Sequence, residues 1–266
     1  MKIATYNLQS GGTAKQYVHW SHLFEVVNPD IFLVQESCAP DHYMTAQFWQ
    51  MYGNQVQWQP VDGQAWGSAI FVRSGQITPI VVPGFEGYVV GVEVDGFAWS
   101  ANAGRKLQIF SIQAPAPYKP SVNQILDQIA RLSDGSDLII GGDFNLTIGV
   151  RHPSEKHQDQ DLWLLERLRK QFGLISCWQA VHPNRHLPQT LRWQRDTTIP
   201  YHCDGVFVPA AWYRYLDKCE ILASPVWEEL SDHNPVIATF AAEPAPALPS
   251  EAMPIANVKF PFTLSP

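Results

Sequence analysis

The 266-residue chain has little charge, 16% Asp, Glu, Lys and Arg together, and only four cysteines. Cys38, Cys177, Cys203 and Cys219 are scattered without a CxxC pair, which excludes a disulfide-stapled secreted scaffold; reduced thiols are expected. Positive charge is not in excess either. A formal net charge of −7 argues against a protein that holds duplex nucleic acid by bulk electrostatics. No stretch approaches the roughly 20 apolar residues of a membrane span, and the opening MKIATYNLQSGG lacks the apolar core of a signal peptide. A soluble, cytoplasmic chain without membrane contact or an evident protein partner is the expectation. GxSxG, HExxH, GxxxxGK[ST] and GxGxxG are all missing, so serine-hydrolase, zincin, P-loop and dinucleotide chemistries have no support. His182 and His186 have ligand-type spacing, but Pro183 between them breaks the helix that would align them.

What is present is a hydrophobic content of 45%, enough for a sizeable core. One domain over residues 1–242 is expected, followed by a Pro/Ala-rich tail over 243–266 that is either loose or pinned to the body by Phe260 and Phe262. KIATYNL alternates like a strand. AKQYVHWSHLFEVVN places Trp20, Leu23, Phe24 and Val27 at helical spacing, and DIFLVQE follows as a buried strand. This order predicts a βαβ unit with parallel strands. WGSAIFVRSG, ITPIVVPG, YVVGVEVDG and KLQIFSIQAP read as an antiparallel meander. SVNQILDQIARLSDG carries Val122, Ile125, Leu126, Ile129 and Leu132 on one stripe, and DLIIGGDFN follows as a strand that breaks at its two glycines. DQDLWLLERLRKQFG is a helix with Leu165, Leu168 and Phe172 in its stripe; CDGVFVP and NPVIATF are the last strands. The mixture predicts an α/β sandwich, two packed mixed sheets flanked by helices, in one domain.

Polar residues stand at the ends of these strands: Asn7, Glu36, Gln113, Asp143 with Asn145, Asp204, and Asp232 with His233. Any one of them is an ordinary turn or cap residue. Together they form the set that rigid strands deliver to a ligand crevice. The chemistry they suit is metal-assisted hydrolysis. Glu36 and Asp232 are hard oxygen donors for Mg²⁺, which takes one or two carboxylates and keeps several waters. His233 needs an acid behind it to hold its tautomer and favour its charged form, and Asp204 is the candidate. Asp143 is suited to orienting or deprotonating water, with Asn7 and Asn145 donating to phosphate oxygens or to one another.

At these residues the sequence resembles the endonuclease/exonuclease/phosphatase family, which includes deoxyribonuclease I. The likeness is carried by TYNLQSGG, LVQES, GGDFN, CDGVFV and SDHNPV, in the family's order from residue 3 to about 240. It implies a four-layer sandwich, Glu36 as Mg²⁺ ligand with Asp232 as a second acid at the metal, and Mn²⁺ as a possible substitute. It also implies Asp204 paired with a phosphate-contacting His233, Asp143 at the water, and Asn7 and Asn145 positioning water and phosphate. His233 and Asp143 share the base assignment. One position departs: Gln113 of FSIQAPAP stands where many members carry His, and an amide can bond a phosphate oxygen but cannot supply a proton.

The leading substrate is a phosphodiester, first of all in DNA or RNA. Arg192, Trp193 and Arg195 precede Asp204 and suit a base stacked on an aromatic with cations beside it; the plain alternative is a core Trp193 with solvated Arg neighbours. From Arg151 to Arg195 eight Lys/Arg stand against four acids, a basic face or simply a solvated helix surface. A small phosphate ester (nucleotide, sugar phosphate or lipid headgroup) is the first alternative. A non-catalytic binding protein on the same fold is the second, and Gln113 is its only sequence argument.

Overall fold

The computed structural model describes residues 1–11, 17–99, 101, 104–148, 162–183, 185–199 and 201–244. Arg151 and Lys156 of the basic run, Glu155, Asp159 and Asp161 beside them, and Phe260 and Phe262 of the tail lie outside the described residues.

The chain begins with β1 (Lys2–Asn7), α1 (His19–Val26) and β2 (Ile31–Ser37), and β1 and β2 pair in parallel as expected. α2 (Ala46–Tyr52) is capped by the Thr45 side chain accepting from the Phe48 N–H. β3 (Val56–Pro60) and β4 (Gly67–Val72) then pair antiparallel, and β4 also pairs with β2. The expected four-stranded meander is therefore divided. WGSAIFVRSG contributes β4 to the first sheet, while β5 (Gln76–Ile80), β6 (Val89–Asp95) and β7 (Leu107–Gln113) form a meander in the second. α3 (Tyr118–Leu132) crosses over to β8 (Asp137–Asp143), parallel to β7. After α4 (Leu162–Phe172) come β9 (Leu174–Ser176), α5 (Cys177–Val181), β10 (Asp204–Pro209), β11 (Leu216–Ile221), α6 (Pro225–Leu230) and β12 (Val236–Phe240).

The two six-stranded sheets run β11-β12-β1-β2-β4-β3 and β5-β6-β7-β8-β10-β9. Each is built around one parallel βαβ unit, β1-α1-β2 or β7-α3-β8, flanked by antiparallel partners. No sequence repeat announces this, yet β4 stands to β2 as β10 stands to β8.

Three apolar clusters make the four layers. Ile3, Leu33, Ile70, Val92, Ile109, Ile139 and Val206 meet between the sheets. Val122, Ile125, Leu126 and Ile129 of α3, all fully buried, and Leu164 and Leu168 of α4 cover the second sheet over Phe110, Ile140 and Phe207. Each such side chain contributes about 1.5–3 kcal/mol by leaving water. Trp20, Leu23, Phe48 and Trp227 cover the first sheet. The centre of the α4 stripe is Leu164 with Leu168; Leu165 and Phe172 are half-buried at its border.

The strand of DLIIGGDFN does not break at its glycines. β8 continues through both to Asp143 because nothing larger fits there. A Cβ on Gly141 would collide with Leu33 of the facing sheet, and one on Gly142, at φ +137°, with the Ile112 carbonyl of β7.

Candidate active site

Side chains alternate along a strand, so the inward face can be followed toward one end of the sandwich. Ile3, Leu33, Ile109, Ile139 and Val206 give way to Thr5, Gln35 and Ser111, which form a closed polar layer. Thr5 Oγ1 donates to Gln35 Oε1 at 3.2 Å, Gln35 Nε2 donates to Ser111 Oγ at 2.9 Å, and Ser111 Oγ donates to the Val34 carbonyl at 3.0 Å. Each buried polar atom here has a partner, so the layer rigidifies the floor of the site instead of destabilising it. Two residues further along the same rows stand Asn7, Gln113, Asp143 and Asp204. Register places Gln113 and Asp204 directly opposite Asp143 on its two sides.

Glu36 reaches this end by a different device. The β2/β4 register shifts between Val34 and Ser37, and Glu36 adopts φ +50°, the left-handed region that a non-glycine residue seldom occupies. The bulge turns its carboxylate to the site, where the surroundings hold it. Oε1 accepts from Gln113 Nε2 at 3.0 Å and Asn7 Nδ2 at 3.3 Å; Oε2 accepts from the Ser10 N–H at 2.8 Å and Ser10 Oγ at 3.0 Å. Asn7 Nδ2 also lies 3.2 Å from Gln113 Oε1 and 3.0 Å from Asp143 Oδ2. With two hydrogens it serves two of these three acceptors at a time. Gln113 thus clips Asn7 to Glu36, a contact that uses both ends of an amide.

His233 is buried, with Nδ1 2.9 Å and 3.1 Å from the two Asp204 oxygens. Its Nε2 faces Asp143 Oδ2 at 3.8 Å and Asp232 Oδ1 at 3.9 Å, too far for direct bonds. Burial disfavours the imidazolium, but Asp204, Asp143 and Asp232 together overcome this and push the His233 pKa well up. Burial pushes the Asp143 carboxyl well above the ordinary carboxylate range; the His233 charge and the Asn145 N–H, which donates to Oδ1 at 2.8 Å, pull against it, while the neighbouring acids add to it. Asp232 is likewise raised, by burial first, against the pull of His233, and also by the charge of Glu36.

These residues open on a cleft of about 440 Å³ whose lining includes Glu36, Gln113, Asp143, Asn145, Asp232 and His233. Asn145 sits at φ +50° and donates through Nδ2 to the Ala114 carbonyl at 3.0 Å, tying the ends of β7 and β8. Asp204 lies behind His233, outside the lining.

The donor set fits a hard divalent cation. Asp232 Oδ1 is buried without a hydrogen-bond partner, and it faces a cleft that it shares with Glu36 and Asp143. Asp143, Asp204 and His233 also have ligand atoms within 4.8 Å of one another. Asp204 is committed to His233 Nδ1, however, which leaves the cleft-lining carboxylates as the better cation donors.

Arg192, Trp193 and Arg195 do not sit together at the cleft. Arg192 is buried, and its guanidinium donates to Asn234 Oδ1 and to the carbonyls of Ser231 and His233, while its backbone N–H donates to the Asp232 carbonyl. It holds the loop that carries Asp232 and His233 and is not exposed to hold a phosphate. Trp193 is 54% exposed and lines the cleft, which also removes the reading of it as a core residue. Arg195 is exposed but outside the lining. Two supports gave no sequence signal: Thr190 Oγ1 accepts from the N–H groups of Cys203 and Asp204, and the Ser231 hydroxyl joins the Asn7 carbonyl to the His233 N–H. Tyr118, at the start of α3, lines the cleft and was likewise silent in the sequence.

Comparison with known proteins follows the same lines. The family described as "Endonuclease/Exonuclease/phosphatase family" matches residues 4–233. No curated protein matches the sequence. Among solved structures, a 3′ phosphatase from Neisseria bound to a product DNA hairpin superposes with a TM-score of 0.65 at 19% identity, over 90% of this chain and 99% of that one. An AP endonuclease from Archaeoglobus fulgidus gives 0.67 at 17%, over 90% and 99%. A 3′-5′ exonuclease from Neisseria meningitidis gives 0.62 at 17%, over 91% and 100%. At these identities the likeness is one of fold.

Proposed function

The chain belongs to the endonuclease/exonuclease/phosphatase family, and from that premise we propose that it is a Mg²⁺-dependent hydrolase of phosphodiester bonds in nucleic acid. The observation that carries the reading is a single buried histidine, backed by Asp204, whose free nitrogen looks across less than 4 Å to both Asp143 and Asp232. Such a pocket matches a phosphate on which negative charge develops and a water that must lose a proton.

Asp143 accepts the proton of the attacking water. Burial makes it a stronger base than an exposed aspartate, and Asn7 Nδ2 with the Asn145 N–H fixes both its oxygens. His233, kept charged by Asp204, donates from Nε2 to a non-bridging phosphate oxygen. Glu36 and Asp232 would hold the cation, with Gln113, Asn7 and Ser10 presetting the Glu36 oxygens. When bound, Mg²⁺ polarises the phosphoryl group and neutralises charge on the leaving oxygen, and Mn²⁺ has the same ligand preference. Gln113 supplies no proton, so the leaving oxygen must take its proton from elsewhere.

A small phosphate ester is the second reading, favoured by the absence of Lys and Arg among the described cleft-lining residues. Plasmid DNA, single-stranded oligonucleotides and bis-nitrophenyl phosphate, each with Mg²⁺ or Mn²⁺, separate the two. Cleavage of an oligonucleotide is expected, and turnover of the small ester alone would overturn the nuclease reading.

A further inference from the structure

Among the described residues, large exposed apolar side chains are few, and only two of them, Tyr118 (39% exposed) and Trp193 (54%), line the cleft. Among the described residues no other ring packs against either, whereas Tyr88, also in the lining, is engaged edge-to-face with Trp66 at 6.1 Å. The two rings come from independent supports. Tyr118 opens α3, and the next residue, Lys119, turns away to place its Nζ 5.4 Å from the centre of the Trp163 ring on α4. Trp193 follows the buried Arg192 and leads into Gln194 and Arg195, which adopt φ +55° and +62°. A short, left-handed turn thus presents the indole outward while its neighbour is locked to the carbonyls of Ser231 and His233.

We propose that Tyr118 and Trp193 are the two jaws of a clamp that stacks an unpaired nucleobase, so that the substrate of this site is a single-stranded or frayed nucleotide. This rests on the phosphodiesterase reading and deepens it. An exposed, unpartnered aromatic pair in a cleft whose described lining holds neither Lys nor Arg gives affinity through the π-face of a base, which is hidden in a duplex. Backbone tracking along a duplex requires Lys and Arg, and the described lining has none, in a chain of net charge −7. Because Arg192 couples the Trp193 turn to the His233 loop, a base held by the indole is placed in fixed relation to the group that receives its phosphate.

The test uses the full chain and an oligonucleotide with 2-aminopurine at one position, in EDTA for binding and in Mn²⁺ for turnover. Single-stranded probe should be quenched on binding by wild type, Tyr118→Phe and Trp193→Phe. Tyr118→Ala and Trp193→Ala should bind about tenfold more weakly, with KM on single strands raised to match. Both side chains are exposed, and unchanged circular dichroism confirms that the variants fold. Equal affinity of wild type and both alanine variants would overturn the clamp, as would equal quenching of paired and unpaired 2-aminopurine. Quenching without hydrolysis under any divalent ion would sustain the clamp and sink the hydrolase reading; hydrolysis of single strands without quenching would sink the clamp alone.

Discussion

Arg192 shows how far a side chain's work can lie from its sequence context. Beside a tryptophan and another arginine it suggests phosphate binding, yet its fork is spent on three acceptors of the 231–234 loop. Arg192→Ala should leave those acceptors unsatisfied, costing about 2–5 kcal/mol of stability in urea unfolding and lowering kcat with it. Arg192→Lys should recover less than half of the loss, since a single ammonium cannot reproduce a planar fork; full recovery would show that charge alone matters. His202 gives a pH-dependent prediction. It is buried, which lowers its pKa from 6.5 to about 4, with Nδ1 2.8 Å from the Pro188 carbonyl and Asp204 acting in the opposite direction. The folded form therefore holds it neutral while the unfolded chain takes up a proton near pH 6.5. Its contribution to stability is lost as pH falls from 6.5 toward 4. Between pH 7 and pH 5 wild type should lose about 2 kcal/mol relative to His202→Asn, read from paired denaturation curves; parallel pH profiles would refute the assignment. The residues that line or support the candidate site were the most legible part of the sequence. Asn7, Glu36, Asp143, Asp204, Asp232 and His233 are polar groups at the ends of otherwise apolar strands, a contrast visible without coordinates. Gln113 is the exception in role: it stands where expected, but its amide is engaged by Glu36 and Asn7.

Among the elements, β8 carries a tight constraint. Gly142 combines φ +137° with contact to the Ile112 carbonyl, so Gly142→Ala should cost roughly 3 kcal/mol or more and displace Asp143 from its partners. A melting temperature within a degree or two of wild type would contradict this. The strongly periodic elements were readable because both faces of their strands, or one stripe of their helices, are buried: β1, β2, β7, β8, β12 and α3. Edge elements were not. β3 is VQWQP, half-buried along most of its length and closed by proline, and β11 is LDKCEI, with only Cys219 fully buried. β3 does alternate, but over only five residues and without a buried face, and β11 does not alternate, so neither gives the pattern that such reading depends on. The short helices α2 and α6, at seven and six residues, span too few turns to show a stripe. The placement of β4 failed for another reason. Consecutive strands usually pair with one another, and here the chain leaves one sheet for the other after Val72, a choice that residues facing the inter-sheet core cannot reveal locally.

At the scale of the whole molecule, two sheets with equivalent centres bring their strand ends to one edge and leave an acidic cleft there. The sandwich grades along its length from an apolar core, through the Thr5, Gln35 and Ser111 layer, to the carboxylates. That middle layer gave no sequence signal, because isolated polar residues in a strand look like surface positions until the facing sheet is in place. No helix among the described residues is long and apolar enough to cross a membrane. The central claim is that this edge hydrolyses phosphodiesters through His233 and its carboxylate neighbours. It is tested most directly by the initial rate of cleavage of a labelled single-stranded oligonucleotide in Mn²⁺, for wild type and His233→Ala side by side. Cleavage by wild type and a loss of about 10²–10⁴-fold in the variant are expected from removal of a group acting on the transition state. No cleavage by wild type in either Mn²⁺ or Mg²⁺, or equal rates for the two proteins, would contradict it.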